Sequence, residues 1–89
     1  MFVKELWDSA REGKNFQSLV EKTLEFSRNK YPTPIHSPHE GFGILLEEFE
    51  ELKTEIFAKH NKASILVELA SVAAVCQRLA EDVMYAPHT

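Results

Sequence analysis

The sequence predicts an all-α protein: one domain over residues 1–89, folded as an antiparallel helical bundle and completed by oligomerisation. Three observations predict it. Apolar residues recur at spacings of three and four along the chain, and no stretch alternates with the period of two that a strand requires. Three of the four prolines fall in residues 29–38 (NKYPTPIHSP), which must be a loop separating an N-terminal helical half from a C-terminal pair of helices. The last apolar run, finally, is too wide in arc for one neighbouring hairpin to cover.

Taken in order, Phe2, Val3, Leu6, Trp7 and Ala10 stand at helical spacing, and Gly13 either ends this helix or kinks one long N-terminal helix. Asn15 caps a second run carrying Phe16, Leu19, Val20, Leu24 and Phe26 on one side. After the loop, Ser37 can cap, Pro38 suits the first helical position and Glu40 completes a capping box. That helix should run to about residue 60, with Phe42, Leu45, Leu46, Phe49, Leu52, Lys53 and Ile56 along one face. Gly41 and Gly43 near its start are poor helix formers, which points to close approach of another backbone or a ligand. Asn61 caps a last helix from residue 62 to about residue 85, ended by Pro87. Its apolar positions, from Ile65 to Met84, cover roughly 220°, against the 100° or somewhat more of an ordinary surface helix. A homodimer or homotetramer is the expected remedy, with alanines letting helices approach across the subunit interface; the alternative is that the N-terminal helix covers the remainder.

Composition narrows the class. A 44% hydrophobic share with three glycines excludes a disordered chain, and a formal charge of −4 without a basic stripe argues against a nucleic-acid partner. The single Cys76, between Val75 and Leu79, reads as a buried structural thiol in a reducing compartment. No signal peptide and no stretch of membrane-spanning length are read, so a soluble cytoplasmic protein is expected.

The chemistry concentrates in carboxylates. Glu47, Glu48, Glu50 and Glu51 crowd the third helical run, and Glu68 sits inside the apolar last helix. Glu48, Glu51 and Glu55 stand at i, i+3 and i+7 on a face adjoining Leu52, while Glu47 and Glu50 point further round toward solvent. An antiparallel hairpin turning at Asn61 would set position 54 opposite 68, and 51 opposite 71. That register brings Glu51 and Glu55 to Glu68, with Glu48 one turn further along. Carboxylates meeting between two helices repel one another unless a cation intervenes, and Mg²⁺, a hard ion that takes oxygen ligands, is the natural occupant. Acid runs on helices are otherwise solvated faces, and it is Glu68 that shifts the balance.

LEEFEEL followed by ELAS resembles the paired motifs of the MazG-like all-α nucleoside triphosphate pyrophosphohydrolases, in a divergent, phage-associated form. In that family Glu-x-x-Glu on one helix and Glu-x-x-Asp on the next bind Mg²⁺. Glu48-Phe49-Glu50-Glu51 matches the first motif; Glu68-Leu69-Ala70-Ser71 matches the second in all but its last position. The resemblance covers about residues 16–84, with its specific content in residues 36–80. It implies Mg²⁺, with Mn²⁺ as a substitute, held by Glu48, Glu51 and Glu68; the hairpin register makes Glu55 the candidate fourth ligand in place of the missing acid. It implies catalytic roles for Glu48 and Glu51 in cleaving a nucleoside triphosphate to the monophosphate and pyrophosphate. Lys53, Lys59, Lys62 and Arg78 are the candidate phosphate partners, Lys53 and Arg78 foremost, and Trp7, Phe16 or Tyr31 could stack on a base. Because Ser71 cannot supply a carboxylate's charge, two outcomes stay open: a rearranged hydrolase, or a relative that keeps the scaffold for nucleotide binding or protein assembly without turnover. Asp82 is no substitute, lying about 16 Å along the helix from Ser71. His36 and His39 invite a zinc reading but lack a third ligand, while His60 suits a helix C-terminus and His88 a frayed tail.

Overall fold

The structure, a computed structural model, describes residues 4–12, 15–58 and 61–86. Phe2, Val3, Gly13, Lys59, His60, Pro87 and His88, each assigned a role above, lie outside the described residues. Among the described residues four helices run in the order α1 (Lys4–Glu12), α2 (Phe16–Lys30), α3 (Pro38–Phe57) and α4 (Lys62–Leu79), and α4 continues into a π-helical turn, Ala80–Met84. No strand occurs among the described residues, so the all-α expectation holds.

The starts of α2, α3 and α4 are each fixed by a side-chain cap that satisfies an orphan backbone donor. Asn15 Oδ1 accepts from the Ser18 amide at 2.7 Å, Ser37 Oγ from the Glu40 amide at 3.1 Å, and Asn61 Oδ1 from the Ser64 amide at 3.0 Å. Pro38 at the first turn of α3 loses no bond, since that N–H has no helical partner.

The last helix is the hub, packing against α1, α2 and α3. Its Ala63, Val67 and Ala70 form the core with Leu6 and Ala10 of α1 and Leu19 and Val20 of α2. The small side chains let α1 and α2 lie close on α4 within one chain. This relocates an expectation: these alanines serve intrachain packing, and the N-terminal helices cover much of the wide apolar arc. Trp7 supports the same contact, donating its indole N–H to Ser64 Oγ at 3.3 Å beneath the Arg11 guanidinium.

Toward its C-terminus α2 changes character. It buries Thr23 and Ser27, whereas Leu24 and Phe26 are only half-buried and Phe16 is exposed. Thr23 bonds its own helix at Leu19 O, at 2.7 Å, while Ser27 serves Arg78 of α4, buried at 6% exposure. Its Nη1 donates to Ser27 Oγ at 3.1 Å and Ser27 O at 3.4 Å; its Nη2 donates to Tyr31 O at 2.9 Å and Thr33 O at 3.0 Å. Asp82 in the π-helical turn stands 3.8 Å from Arg78 Nε, pairs with Arg28 at 3.1 Å and accepts from the Ile35 amide at 3.0 Å. One arginine and one aspartate thus pin the proline-rich loop and bury Ile35 beneath it.

Helix α4 with its π turn, Lys62–Met84, is long enough to cross a membrane and contains an 18-residue window apolar enough to do so, of mean hydropathy 1.5, which corrects the expectation that no such stretch exists. Here it is the central helix of a bundle, with Glu68, Ser71 and Arg78 buried along it.

The glycine expectation divides. A Cβ on Gly41 would run into the Leu79 side chain, so α3 and α4 do approach closely there. Gly43 has nothing within 4 Å of its would-be Cβ, and no close approach explains it. Replacing Gly43 by Ala should therefore stabilise the protein by about 0.5–1 kcal/mol through helix propensity. A urea midpoint that rises with an unchanged slope would bear this out.

Candidate metal centre

Two helices bring three carboxylates together. Glu48 and Glu51 stand one turn apart on α3, and Glu68 faces them from α4, each offering an oxygen within 4.8 Å of the others. Two ligands across one Mg²⁺ are about 4.2 Å apart, and across a larger ion such as Ca²⁺ about 4.6–5.2 Å. Three oxygens that close to one another are near enough to be ligands of one divalent ion. Their surroundings differ: Glu68 is 5% exposed, Glu48 is half-buried and Glu51 is exposed. One Glu48 oxygen, Oε2, is buried without a hydrogen-bond partner among the described residues. That is an acceptor left waiting for a cation or a proton.

Burial is the largest influence on all three carboxyls. Burial, followed by the negative charge of Glu51 and Glu68, pushes the Glu48 carboxyl up to about 7. Burial also raises Glu68, with Glu51 adding to it. Burial works against the Glu51 charge too, but hydrogen bonds, those from Glu48 and Glu68 among them, prevail and hold its carboxyl below the usual range. Asp82 lies below its usual value as well: burial is overcome by the Ile35 amide and the two arginines.

These shifts have signs that can be tested on the metal-free protein. A group raised in the folded state stabilises it below the unfolded value and loses that contribution as pH climbs through the folded value. For Glu48 the loss falls between about 4.5 and 7. Its size is on the order of 1 kcal/mol once solvent screening is allowed for. Asp82 acts oppositely, its contribution disappearing as pH drops below its unfolded value of 3.8. In chelator the melting temperature should accordingly peak near pH 5 and fall toward pH 8. A flat profile over that range would contradict the burial and charge assigned to Glu48.

Beside the carboxylates a cavity of about 600 Å³ opens between α3, α4, the end of α2 and the loop. Glu48, Glu51 and Ser71 line one part, and Ser27, Lys30, Tyr31 and Thr33 another. Ser71 is buried and turns its hydroxyl back to Val67 O at 3.0 Å, so the side chain standing where the family motif has Asp is occupied with its own helix.

The remaining sequence candidates fall elsewhere. Glu55 is half-buried and does not join the three-carboxylate set. Lys53 follows Glu51 by two residues, about 200° round the helix, and so faces away from the cavity it was expected to serve. Arg78 reaches the cavity wall, but its Nη donors are committed to loop oxygens, which replaces the expected phosphate contact with a structural one. Lys30 was missed: it lines the cavity and forms no ion pair among the described residues, its ammonium lying over the Tyr31 and Phe26 rings at 5.4 and 5.9 Å. Its signal was its place at the end of α2, directly before the proline-rich loop. His36 and His39 are exposed and belong to no metal-binding group among the described residues. Cys76 is exposed, not buried, because its side of α4 is turned from α1 and α2.

Compared with protein-family models, with curated proteins and with solved structures, the chain finds no match.

Proposed function

We propose that this chain is a divalent-cation-dependent nucleoside triphosphate pyrophosphohydrolase of the MazG-like helical type, a soluble cytoplasmic protein acting as a homodimer or homotetramer. The observation that supports the reading most directly is the convergence of Glu48, Glu51 and Glu68 from two helices beside a cavity large enough for a nucleotide. Bound Mg²⁺ or Mn²⁺ supplies Lewis acidity and neutralises charge developing on the phosphate oxygens. Glu48, Glu51 and Glu68 hold the ion. Glu51, the exposed member, also accepts a proton from the water that attacks the α-phosphorus; the bond to the β-phosphate oxygen breaks, and pyrophosphate leaves with the monophosphate retained. Lys30 contacts the triphosphate, the role first given to Lys53 and Arg78. Tyr31, 56% exposed at the cavity, stacks on the base.

One observation favours a second reading, nucleotide binding without turnover: the Ser71 hydroxyl bonds Val67 O and leaves the centre one carboxylate short of the family motif. A nucleotide panel with Mg²⁺ and with Mn²⁺ separates the two. Pyrophosphate release supports the hydrolase; thermal stabilisation by nucleotide plus metal with no product supports binding alone. Neither product nor stabilisation from any nucleotide would reject both.

A further inference from the structure

The proline-rich loop is one wall of the cavity, and few bonds keep it in place. Tyr31, Thr33 and Ile35 line the cavity, while Pro32 and Pro34 between them are exposed. Such alternation belongs to an extended segment with one side turned inward. Stiffness is built into it. Both prolines have a fixed φ, and Tyr31 and Thr33, which precede them, are steered to extended backbone. Neither proline has an N–H with which to fasten the segment. Among the described residues, hydrogen bonds hold residues 32–36 at two points only. Arg78 Nη2 donates to Thr33 O at 3.0 Å, and the Ile35 amide donates to Asp82 Oδ2 at 3.0 Å.

These two points differ in kind. Arg78 is buried and spreads over Ser27, Tyr31 and Thr33, so it anchors the first half of the loop to the bundle. The second half hangs on Asp82 and on the burial of Ile35. Asp82 stands on the π-helical turn beyond α4 and is steadied by Arg28, whose guanidinium it shares with the exposed Glu81. That turn has a backbone bond of its own, from the Tyr85 amide to Ala80 O at 2.8 Å, so losing the loop need not unwind the helix.

We infer that residues 32–36 are a strap that opens and closes the cavity, hinged at the Arg78 anchor and latched by Asp82 through the Ile35 amide. Because the prolines keep the strap extended, breaking the Asp82 bond lifts its second half as one piece. Ile35 leaves with it, and the wall opens between Thr33 and the start of α3. Reburial of the Ile35 side chain draws the strap back, which makes the closed form the resting one. The device serves the cavity whatever enters it, and so does not rest on the metal or the nucleotide proposed above.

The test is the reactivity of a thiol inside the cavity toward dithiodipyridine, in the full chain carrying Cys76→Ser. Val75→Cys places that thiol on the cavity wall, and Val67→Cys places a control in the core shared by α1, α2 and α4. Both positions are buried, and both substitutions shorten the side chain equally. Asp82→Ala should speed modification of Val75→Cys by about tenfold or more, the scale of one charge-assisted hydrogen bond, and that of Val67→Cys by less than about twofold. Asp82→Asn, which keeps an acceptor for the Ile35 amide but not the charge, should fall between Asp82→Ala and the parent. If Asp82→Ala loses helical circular dichroism, Asp82→Asn carries the test alone. A Val75→Cys thiol that reacts as fast as the exposed Cys76 of the parent would show that the cavity needs no opening, and would overturn the proposal. Equal acceleration at both positions would do the same, since Asp82 would then support the whole fold. No acceleration at Val75→Cys would also overturn it, because the strap would then be held by other means.

Discussion

Arg78→Met should destabilise the protein by about 3 kcal/mol, a large part of what a chain of this size possesses. The substitution nearly preserves length and apolar volume, so the loss isolates the guanidinium. Four acceptors on Ser27, Tyr31 and Thr33 lose the Arg78 donor, and Asp82 keeps only Arg28 and the Ile35 amide. Ser27 O keeps the Tyr31 amide, but the buried Ser27 hydroxyl and the part-buried Tyr31 and Thr33 carbonyls lose a charged donor, and an acceptor stripped of its partner costs more than the modest net value of the bond. Arg78→Lys should recover little, because one ammonium cannot span two loop carbonyls and the Ser27 hydroxyl together. Urea denaturation followed by circular dichroism measures it. A midpoint within experimental error of the parent would show that the loop is held by other means. Because Tyr31 and Thr33 also line the cavity, the same variant should weaken any ligand that the cavity binds, even at temperatures where it stays folded.

Glu68→Gln should act in opposite directions on stability and on function. Glu68 is 5% exposed and its carboxyl is raised by burial and by Glu51. A raised carboxyl contributes stability that is complete below its unfolded value and declines as pH rises through the folded one. Without metal, ionisation of Glu68 is therefore a cost that grows as pH rises, and the neutral amide should raise the melting temperature at alkaline pH. With Mg²⁺ or Mn²⁺ the order should reverse, since the parent gains stability by binding the ion and the variant loses a charged oxygen ligand. Under the proposed hydrolase reading, kcat should fall by roughly 10²–10³-fold, the scale of removing one electrostatic contact to the developing charge. Melting curves with chelator and with metal, beside a pyrophosphate assay, report all three. A Glu68→Gln protein still stabilised by metal as strongly as the parent would remove Glu68 from the centre.

Much of this fold was legible because its signals are local. Asn15, Ser37 and Asn61 mark helix starts within three residues of the amides they cap, and a local hydrogen bond needs no knowledge of the rest of the chain. Glu68 was legible for a related reason: a charge within an apolar helix must have a partner somewhere. The same criterion applied to Arg78 and Asp82, four residues apart in the same helix, would have flagged the network that holds the loop. Read instead as a phosphate contact, Arg78 was assigned by its chemistry alone. Lys53 shows the complementary error, since its closeness in sequence to Glu51 conceals opposite directions on the helix. The alanines of α4 were read as an intersubunit surface when α1 and α2 were already there to use them.

The sequence by itself determined the helices, their caps and the helical pair that carries the acidic residues, because periodicity and capping are written within one or two turns of chain. Only the tertiary structure decided which carboxylates meet, that Arg78 serves the loop and that Lys30 stands at the cavity. Those outcomes depend on how α1 and α2 share the surface of α4. That division is a competition between distant segments for one apolar face, and no local pattern encodes its result.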